Sequence, residues 1–307
     1  MSTPEEAKNV VRRWNEEAWS AGNYDLAYEI ISPDMTVHGA GGQKVGMGPD
    51  ALIELIRTWR TAFPDGHMTI EDLIVEGDLV GVRNSWHGTH TGADFYGIPP
   101  SGNRVDVTSI GLDRVVDGKV VEGWGEMDMV GMMQQLGALP LVGPGAVSTG
   151  RPPAWTAPVD ESPAAVDSGE AKTALTSFIE ALASGDRSAA EALVAPEFVD
   201  DNPSWGSLDL SGALETAASL RAAMPDLQIE IQRDTVLADG GRAEAHTLYR
   251  GTHTGADLFG VSASGRSVVW TQHDIVQVAA GRITRRWVSA DTLSFLQQLG
   301  ALPSPGG

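Results

Sequence analysis

The sequence predicts two tandem copies of one α+β domain, each a curved antiparallel sheet packed on three helices. Three observations support this prediction. The segment GTHTGAD at 88–94 recurs at 251–257, and QQLGALP at 134–140 recurs at 297–303, so both repeats are displaced by 163 residues. Each copy starts with helical periodicity and continues with strand-length runs rich in β-branched residues. A stretch rich in Pro, Ala and Gly separates the copies.

The repeat also sets the domain boundaries. A period of 163 residues is far longer than the roughly 20–50 residues of solenoid repeats, so each copy should be a complete domain. We assign 1–140 to the first copy and 171–307 to the second. The segment 141–170 holds several prolines among Gly, Ala, Ser and acidic residues, which predicts an extended linker. We expect Trp155 to hold this linker against a domain surface.

Helices come first within a copy. Apolar residues recur at helical spacing over 7–21 and 49–63, with a shorter helical segment at 25–31 between them. Gly22 suits the position that follows a helix, because glycine adopts a left-handed conformation without strain. Pro64 ends the third helix, since proline cannot continue the hydrogen-bond ladder. The same helix-ending residue types recur in the second copy.

Strands follow the helices. A final short helix at 129–136 closes the copy, with Asp128 as its N-cap, Gly137 as its stop, and Asp291 as the matching cap of the second copy. Helices followed by a sheet predict an α+β domain, and the curl of the sheet should leave a cavity under the helices. Turn-forming residues separate the predicted strands, which lie at 35–38, 67–76, 79–89, 104–116 and 119–128.

Composition excludes several classes of function. The chain carries 41 acidic residues against 21 Lys and Arg, a formal net charge of -20, which disfavours nucleic acid and anionic membranes as partners. It contains no Cys, which excludes disulfides and thiol catalysis. No apolar run reaches the roughly 18 residues of a membrane span, and we expect a cytoplasmic protein. Phosphate-loop, zinc-protease and nucleophile-elbow motifs are absent and the histidines are scattered, so we expect no metal and no cofactor.

Two motifs carry a family resemblance. The segments GTHTGADFYGIPPSG at 88–102 and RVVDGKVVEGW at 114–124 resemble the SnoaL-like polyketide cyclase family, as do their counterparts at 251–261 and 281–287. The resemblance implies the nuclear-transport-factor-like cone, with a deep pocket beneath its sheet. It also implies cofactor-free ring closure of aromatic polyketide esters by intramolecular aldol condensation. Hydroxylases and epoxide hydrolases related to this family use the same cone.

The chain departs from the family at its acid–base position. The resemblance places the cyclase aspartate at Gly125 in the first copy and at Val288 in the second, and neither side chain can carry a proton. The partner histidine falls near Gly111 and Asp274. The resemblance therefore implies a small-molecule pocket and leaves the chemistry open.

The second copy has the stronger set of candidate site residues. Strand alternation places Trp270, Gln272 and Asp274 on one face. An aldol closure needs a base and a donor for the developing oxyanion, and we predict Asp274 as base with Gln272 and Tyr249 as donors. The alternative is that Asp274 forms a structural ion pair with an arginine such as Arg286.

In the first copy the predicted catalytic residue is His38, at the end of the first strand, and the alternative is that His38 is a packing residue with its hydrogen bonds satisfied. Further predicted substrate contacts are aromatic or hydrogen-bonding side chains. Trp86 and Tyr249 occupy equivalent positions, and we expect them either to line a pocket or to fill the core. His90 and His253 contact ligand or shape the shared turn by bonding to its backbone. Predicted ligand contacts in the two copies are Trp86, Asn84, His90, Tyr249, Trp270 and His253.

Three hypotheses from two classes, enzyme and binding protein, remain open. The first is a cyclase of secondary metabolism, such as antibiotic biosynthesis, acting on an apolar polyketide-like intermediate. The second is a protein that binds or sequesters a small apolar or aromatic natural product without changing it; an epoxide hydrolase or hydroxylase is a third. Because relatives pair sheet to sheet, we also expect the two copies to pair within one monomeric chain, through outer-face residues such as Ile110 and Leu112.

Overall fold

The computed structural model describes residues 2–139, 166–203 and 206–302. Two compact units correspond to the two copies, and each is an α+β domain. Trp155 and most of the predicted linker lie outside the described residues. The expected pairing of the two copies stays a prediction, which sedimentation of the intact chain can test. Among the described residues, no helix combines the length and the apolar character that crossing a membrane would require.

The first copy begins with helices and ends with a long antiparallel meander. A π-helical segment, Trp14–Ser20, continues directly from the first helix. In chain order the elements are α1 (Pro4–Arg13), α2 (Leu26–Ile30), β1 (Ile31–His38), β2 (Lys44–Gly46), α3 (Pro49–Ala62), β3 (His67–Glu76), β4 (Leu79–Thr89), β5 (Arg104–Val116), β6 (Lys119–Met127) and α4 (Met129–Gln135).

The first sheet has the strand order β2-β1-β6-β5-β4-β3. Every neighbouring pair is antiparallel except β1 and β6, which run parallel. This parallel pair differs from the purely antiparallel sheet that the sequence predicts. A hairpin can join only antiparallel strands. β1 instead enters directly from α2 and is far from β6 along the chain, so nothing local fixes its direction.

The second copy repeats this plan with one interruption. Its counterpart of β3 is broken into two short strands, β9 and β10, which both pair with β11. Its first helix begins inside the segment assigned to the linker, because Asp167 caps it. The elements are α5 (Ser168–Ser184), α6 (Arg187–Leu193), β7 (Val194–Asn202), β8 (Gly206–Leu208), α7 (Leu210–Ala223), β9 (Gln228–Ile231), β10 (Leu237–Asp239), β11 (Arg242–Thr252), β12 (Ser267–Ala279), β13 (Arg282–Ala290) and α8 (Thr292–Leu299).

The first helix differs between the copies. In the first copy, the sequence predicts one α-helix over 7–21, but its second half is π-helical. The buried Asn15 side chain donates to the carbonyl of Val11 at 2.8 Å, and the Ser20 hydroxyl donates to the carbonyl of Asn15 at 2.9 Å. Such side-chain bonds compete with the regular ladder, which favours the wider turn. In the second copy, the corresponding helix α5 is regular throughout.

One arginine fixes the helix layer in each copy. Arg60 on α3 donates to the carbonyls of Trp19 and Ser20, and Arg221 on α7 donates to the carbonyl of Leu182. These carbonyls lie at the end of the copy's first helix, where backbone acceptors lack intrahelical partners. The arginine therefore joins the two long helices that cover the concave face of the sheet.

Candidate active site

Three equivalent positions determine what fills each domain. In the first copy they hold Trp19, Trp59 and Trp86. The three indoles meet edge to face, with ring centroids 5.4 to 6.0 Å apart. Trp86 is fully buried and Trp59 nearly so. This is the preferred geometry of packed aromatic rings, and it fills the space between helices and sheet. For Trp86, the structure therefore favours core filling over pocket lining.

The second copy has smaller side chains at the same positions, namely Leu182, Leu220 and Tyr249. Leu182 and Tyr249 follow Trp19 and Trp86 by 163 residues, and Leu220 follows Trp59 by 161, the offset that also relates Pro64 to Pro225. All three line a cavity of about 60 Å³ between α5, α7 and the sheet. Helix α7 also presents Thr216 and Ala217 to this cavity, where α3 of the first copy has Leu and Ile. The second domain is therefore hollow because its side chains are smaller, while its helices and sheet follow the same plan.

Ionised side chains form a buried network at the floor of this cavity. Arg286 on β13 donates through Nη1 to Asp200 Oδ2 on β7 at 2.7 Å, and through Nε to Asp274 Oδ1 on β12 at 2.8 Å. Gln272 Nε2 donates to both oxygens of Asp274, at 3.0 and 3.1 Å. Each of these four residues is at least nine-tenths buried. Burying charges costs several kcal/mol per ion unless they are paired, and here one cation serves two carboxylates.

The two carboxylates are not equivalent. Both oxygens of Asp274 accept hydrogen bonds, and Asp274 is not part of the cavity wall. Asp200 lines the cavity, and its Oδ1 has no hydrogen-bond partner among the residues that the structure describes. Asp274 thus makes the ion pair with Arg286 that the sequence analysis gave as the alternative. Its role as a base stays a prediction.

The ionisation of the site follows from burial. Burial raises the pKa of Asp200 despite the nearby charge of Arg286, and the Asp274 carboxylate adds to this rise. Burial also raises the pKa of Tyr249 far above its usual range, again with a contribution from Asp274. The phenol therefore stays neutral and can donate a proton or hydrogen bond. The two carboxylates outweigh burial at Arg286 and raise its pKa, so the guanidinium stays charged.

The structure brings together most of the residues predicted in the second copy. Gln272 and Tyr249 both line the cavity. Trp270 stacks on Tyr249, with ring centroids 4.8 Å apart and planes inclined by 19°. The sequence analysis missed Asp200. The signal was available, because Asp200 lies two residues after the core residue Phe198 on one strand, and strand alternation places both on the same face.

His38 does not face the interior of the first domain, and its predicted catalytic role stays a prediction. The preceding Val37 packs against the core, so His38 points to the opposite, convex face of the sheet. Its ring stacks on Trp124 with centroids 4.5 Å apart, and its Nε2 lies 2.8 Å from Glu122 Oε1.

Asn84 does lie on the concave face of the first domain, in a buried polar chain. Its Nδ2 donates to Asn15 Oδ1 at 3.2 Å, and its Oδ1 accepts a hydrogen bond from the Ser109 hydroxyl. The position equivalent to Ser109 is Gln272 in the second domain. Both copies thus place polar groups deep under the helices, and the second adds the network of Arg286, Asp200 and Asp274.

The two turn histidines have the structural role that was their alternative. Nε2 of His90 lies 3.0 Å from the carbonyl of Ala93, and Nε2 of His253 lies 3.0 Å from the carbonyl of Ala256. Each Nδ1 lies near a serine of the following loop. The duplicated motif therefore ties two loop segments together in each copy.

Among residues 2–139, 166–203 and 206–302, no three His, Asp or Glu side chains are grouped as metal ligands would be. Asp128 and Asp291 are helix caps, as predicted. Asp128 accepts from the amide of Gly131 at 2.9 Å, and Asp291 accepts from the amide of Ser294 at 3.2 Å. Burial raises the pKa of each of these carboxyls to about 6.

Comparisons with known proteins match each copy separately. The family model described as SnoaL-like polyketide cyclase matches residues 9–136 and 172–299. Nogalonic acid methyl ester cyclase of Streptomyces nogalater is 29% identical over 122 residues, which cover 39% of this chain and 90% of that protein. Aklanonic acid methyl ester cyclase of Streptomyces peucetius is 29% identical over 131 residues, which cover 42% and 89%. The structure of TsrD from Streptomyces laurentii matches with 28% identity and a TM-score of 0.41, covering 45% of this chain and all of that one (100%).

Proposed function

Because the chain belongs to the SnoaL-like polyketide cyclase family, we propose that its second copy is a cofactor-free acid–base enzyme that closes a ring in an apolar polyketide-like intermediate. One observation carries this proposal. The cavity of the second copy is lined by a carboxylate, a neutral phenol and an amide, whereas aromatic side chains fill the same place in the first copy. A cytoplasmic location is part of the proposal.

The chemistry of ring closure fits these groups. A base removes a proton from carbon next to a carbonyl, the resulting enolate attacks a second carbonyl carbon, and the new alkoxide takes up a proton. The product is an isomer of the substrate, so no cofactor or co-substrate is needed. Tyr249 is a neutral donor for the developing oxyanion, and the carboxylates of the site supply the base.

The size of the cavity limits how a substrate binds. Its volume of about 60 Å³ compares with ~30 Å³ for one water molecule in the liquid. Only the reacting end of a polyketide enters a space of this size. A polycyclic substrate therefore requires α7, which presents the small residues Ala217 and Thr216 to the cavity, to move away from the sheet.

The test uses the methyl esters for which the two cyclase relatives are named. The intact chain is incubated with each ester, and the products are separated by chromatography with mass detection. Ring closure gives a new retention time at unchanged mass. Tyr249→Phe should slow this conversion, while Tyr28→Phe, on an exposed tyrosine of the first copy, should not. If neither ester is converted when protein and ester are present in equal molar amounts, the proposal is contradicted.

A second candidate function is hydrolysis of an epoxide. Two carboxylates bridged by one arginine, beside a cavity of water-molecule dimensions, are suited to activating water. One carboxylate would take a proton from water, whose oxygen attacks an epoxide carbon, and the phenol would protonate the leaving oxygen. The same chromatographic test distinguishes it, because the product is heavier by one water.

The third candidate is ligand binding without conversion. The absence of an acid–base residue at Gly125 and Val288 favours it. Tight binding of an ester, with both retention time and mass unchanged after incubation, would support this function and exclude the two enzymatic ones for that ester.

A further inference from the structure

We infer that Asp200 is the residue of the second copy that takes up and returns the proton, and that Arg286 and Asp274 are its positioning residues. This inference rests on the proposed function and assigns the residues of that site. It differs both from the family position, which is Val288, and from the sequence prediction, which was Asp274.

Hydrogen bonding separates the two candidate carboxylates. Asp274 accepts hydrogen bonds from Arg286 and Gln272 on both oxygens, and it does not line the cavity, so a substrate in the cavity does not meet it directly. Asp200 is held through Oδ2 alone, and its Oδ1 has no partner among the described residues. Asp200 is only 1% exposed and lines the cavity, so a group that enters the cavity meets a fixed carboxylate with one available oxygen.

The strand register explains how the carboxylate reaches the family's site from another strand. Val288 on β13 pairs with Asp274 on β12, so the family position borders the network. Two residues before it on β13, Arg286 pairs with Asp200 on the neighbouring strand β7. All four side chains share the concave face, because they are in register or two residues apart. The acid–base group has thus moved one strand across the sheet.

The charges that face Asp200 allow it to accept a proton. Arg286 and Asp274 lie across the sheet, Tyr249 lies on β11, and Arg221 of α7 lines the same cavity. Asp201, the next residue on β7, points to the other face. Two carboxylates and one guanidinium leave one net negative charge at the floor. Protonation of Asp200 therefore leaves the Arg286–Asp274 pair neutral and intact. The phenol of Tyr249 lies at the same cavity wall, where an oxyanion would form.

The proposed step conserves atoms and electrons. Asp200 Oδ1 takes the proton from carbon next to a carbonyl, and the electron pair of that C–H bond becomes the enolate. The enolate carbon forms the new C–C bond to the second carbonyl carbon, whose π electrons move to oxygen. Tyr249 stabilises this oxyanion, which then takes the proton back from Asp200. The product is a ring with one new hydroxyl group, and the reaction neither adds nor removes atoms or electrons.

The main experiment compares two adjacent aspartates. Asp200→Asn removes the base while keeping the shape and the acceptor for Arg286, and we expect a loss of about 10²–10⁴-fold in kcat. Asp201→Asn is the matched control, because Asp201 is equally buried on the same strand but pairs with Ser207 and points to the other face. Wild-type kcat in a folded Asp200→Asn protein would overturn the inference.

A partial reaction separates the inference from the proposed function. In D₂O, the base alone suffices to exchange the α-protons of ethyl acetoacetate, which NMR detects above the buffer rate. If the wild-type chain exchanges these protons but closes no ring, the proposed cyclase function fails while the base assignment is still tested. Asp200→Asn should abolish the protein-dependent exchange. Exchange that survives in Asp200→Asn and is lost in Asp274→Asn would assign the base to Asp274 instead.

The pH profile tests the positioning role. Removing the charge of Asp274 leaves the full charge of Arg286 on Asp200, which lowers the pKa of Asp200. In Asp274→Asn, the acidic limb of the exchange or turnover profile should therefore move to lower pH, with a rate about 10-fold lower because a weaker base is left. A purely structural role would lower the rate or stability and leave the limb in place, and that result would overturn the positioning assignment.

Discussion

The two copies share most of their elements and the arginine that joins their two long helices, yet they differ in what lies beneath the helices. In the first, Trp19, Trp59 and Trp86 interlock and fill the domain. In the second, smaller residues at these positions surround a cavity above a buried ionic network. The difference teaches that one fold can serve as a packed core or as a site, according to a few interior side chains. Duplication allows one chain to contain both.

The residues at the floor of each domain also differ between the two copies. Where the second copy has Asp200, Asp274 and Arg286, the first copy has Val37, Gly111 and Gly123. A Cβ atom at Gly123 would lie 2.9 Å from Met35 Cε and 3.1 Å from Asp113 Oδ1, so a side chain at that position would require these two side chains to shift. The first copy therefore has none of the three side chains that form the ionic network of the second copy.

The largest expected effect comes from removing the shared cation. Arg286→Met leaves two buried carboxylates without a cation, which should lower the free energy of unfolding of the second domain by about 3–5 kcal/mol. Urea denaturation should show this loss near neutral pH and a partial recovery at acidic pH, where the carboxylates are protonated. Arg233→Met, at a largely exposed ion pair with Glu180, should cost less than about 1 kcal/mol. Equal losses in both variants would contradict the assignment.

A reciprocal exchange tests the filling of the two domains. Trp59→Leu places the residue of the second copy in the first and removes contacts with Trp19 and Trp86. We expect the first domain to lose about 2–3 kcal/mol of stability, because a cavity remains. Turnover should stay at the wild-type level, measured in the chromatographic assay. A drop in kcat would show that the first copy takes part in the chemistry.

The opposite exchange should abolish function at a smaller cost in stability. Leu220→Trp fills the cavity of the second copy, and we expect a loss of about 100-fold in kcat/KM with a destabilisation of about 1–3 kcal/mol from overpacking. Ala218→Trp adds the same side chain to the exposed face of the same helix and should keep wild-type activity. Activity retained in Leu220→Trp would exclude this cavity as the site.

The smallest expected effect concerns a feature that both copies share. The folded-state pKa of Asp128 is about 6, above the 3.8 of the free side chain, so its stabilising contribution is complete at low pH and is lost as pH rises through 6. Asp128→Asn keeps a capping side chain without this ionisation. It should remove about 2 kcal/mol of pH dependence between pH 4 and 6.

Thermal unfolding across that pH range provides the measurement. Asp291→Asn should act in the same direction in the second copy, because burial also raises the pKa of Asp291 to about 6. An unchanged pH dependence in Asp128→Asn would show that the buried carboxyl is not responsible. Asp128→Asn and Asp291→Asn thus test a buried helix cap that both copies have, whereas Trp59→Leu and Leu220→Trp test interior residues that differ between the copies.

Much of this protein follows from local sequence. The repeat predicts two domains, and periodicity predicts most helices and strands, because both depend on residues close together in the chain. The caps Asp128 and Asp291 and the backbone-bonded histidines were within reach for the same reason. Alternation along β12 also placed Gln272 and Asp274 on the correct face.

Only the tertiary structure decided which carboxylate faces the cavity, which domain is hollow and on which face His38 lies. Arg286 and Asp200 are 86 residues apart, and their contact exists because β13 and β7 pair in one particular register. The cavity depends on helix α7 lying over β11 with Leu220 in place of an indole. These outcomes depend on contacts between segments that are distant in the chain, and no local sequence pattern encodes such contacts. The formation of the individual helices and strands depends on neighbouring residues, so the sequence alone predicts it.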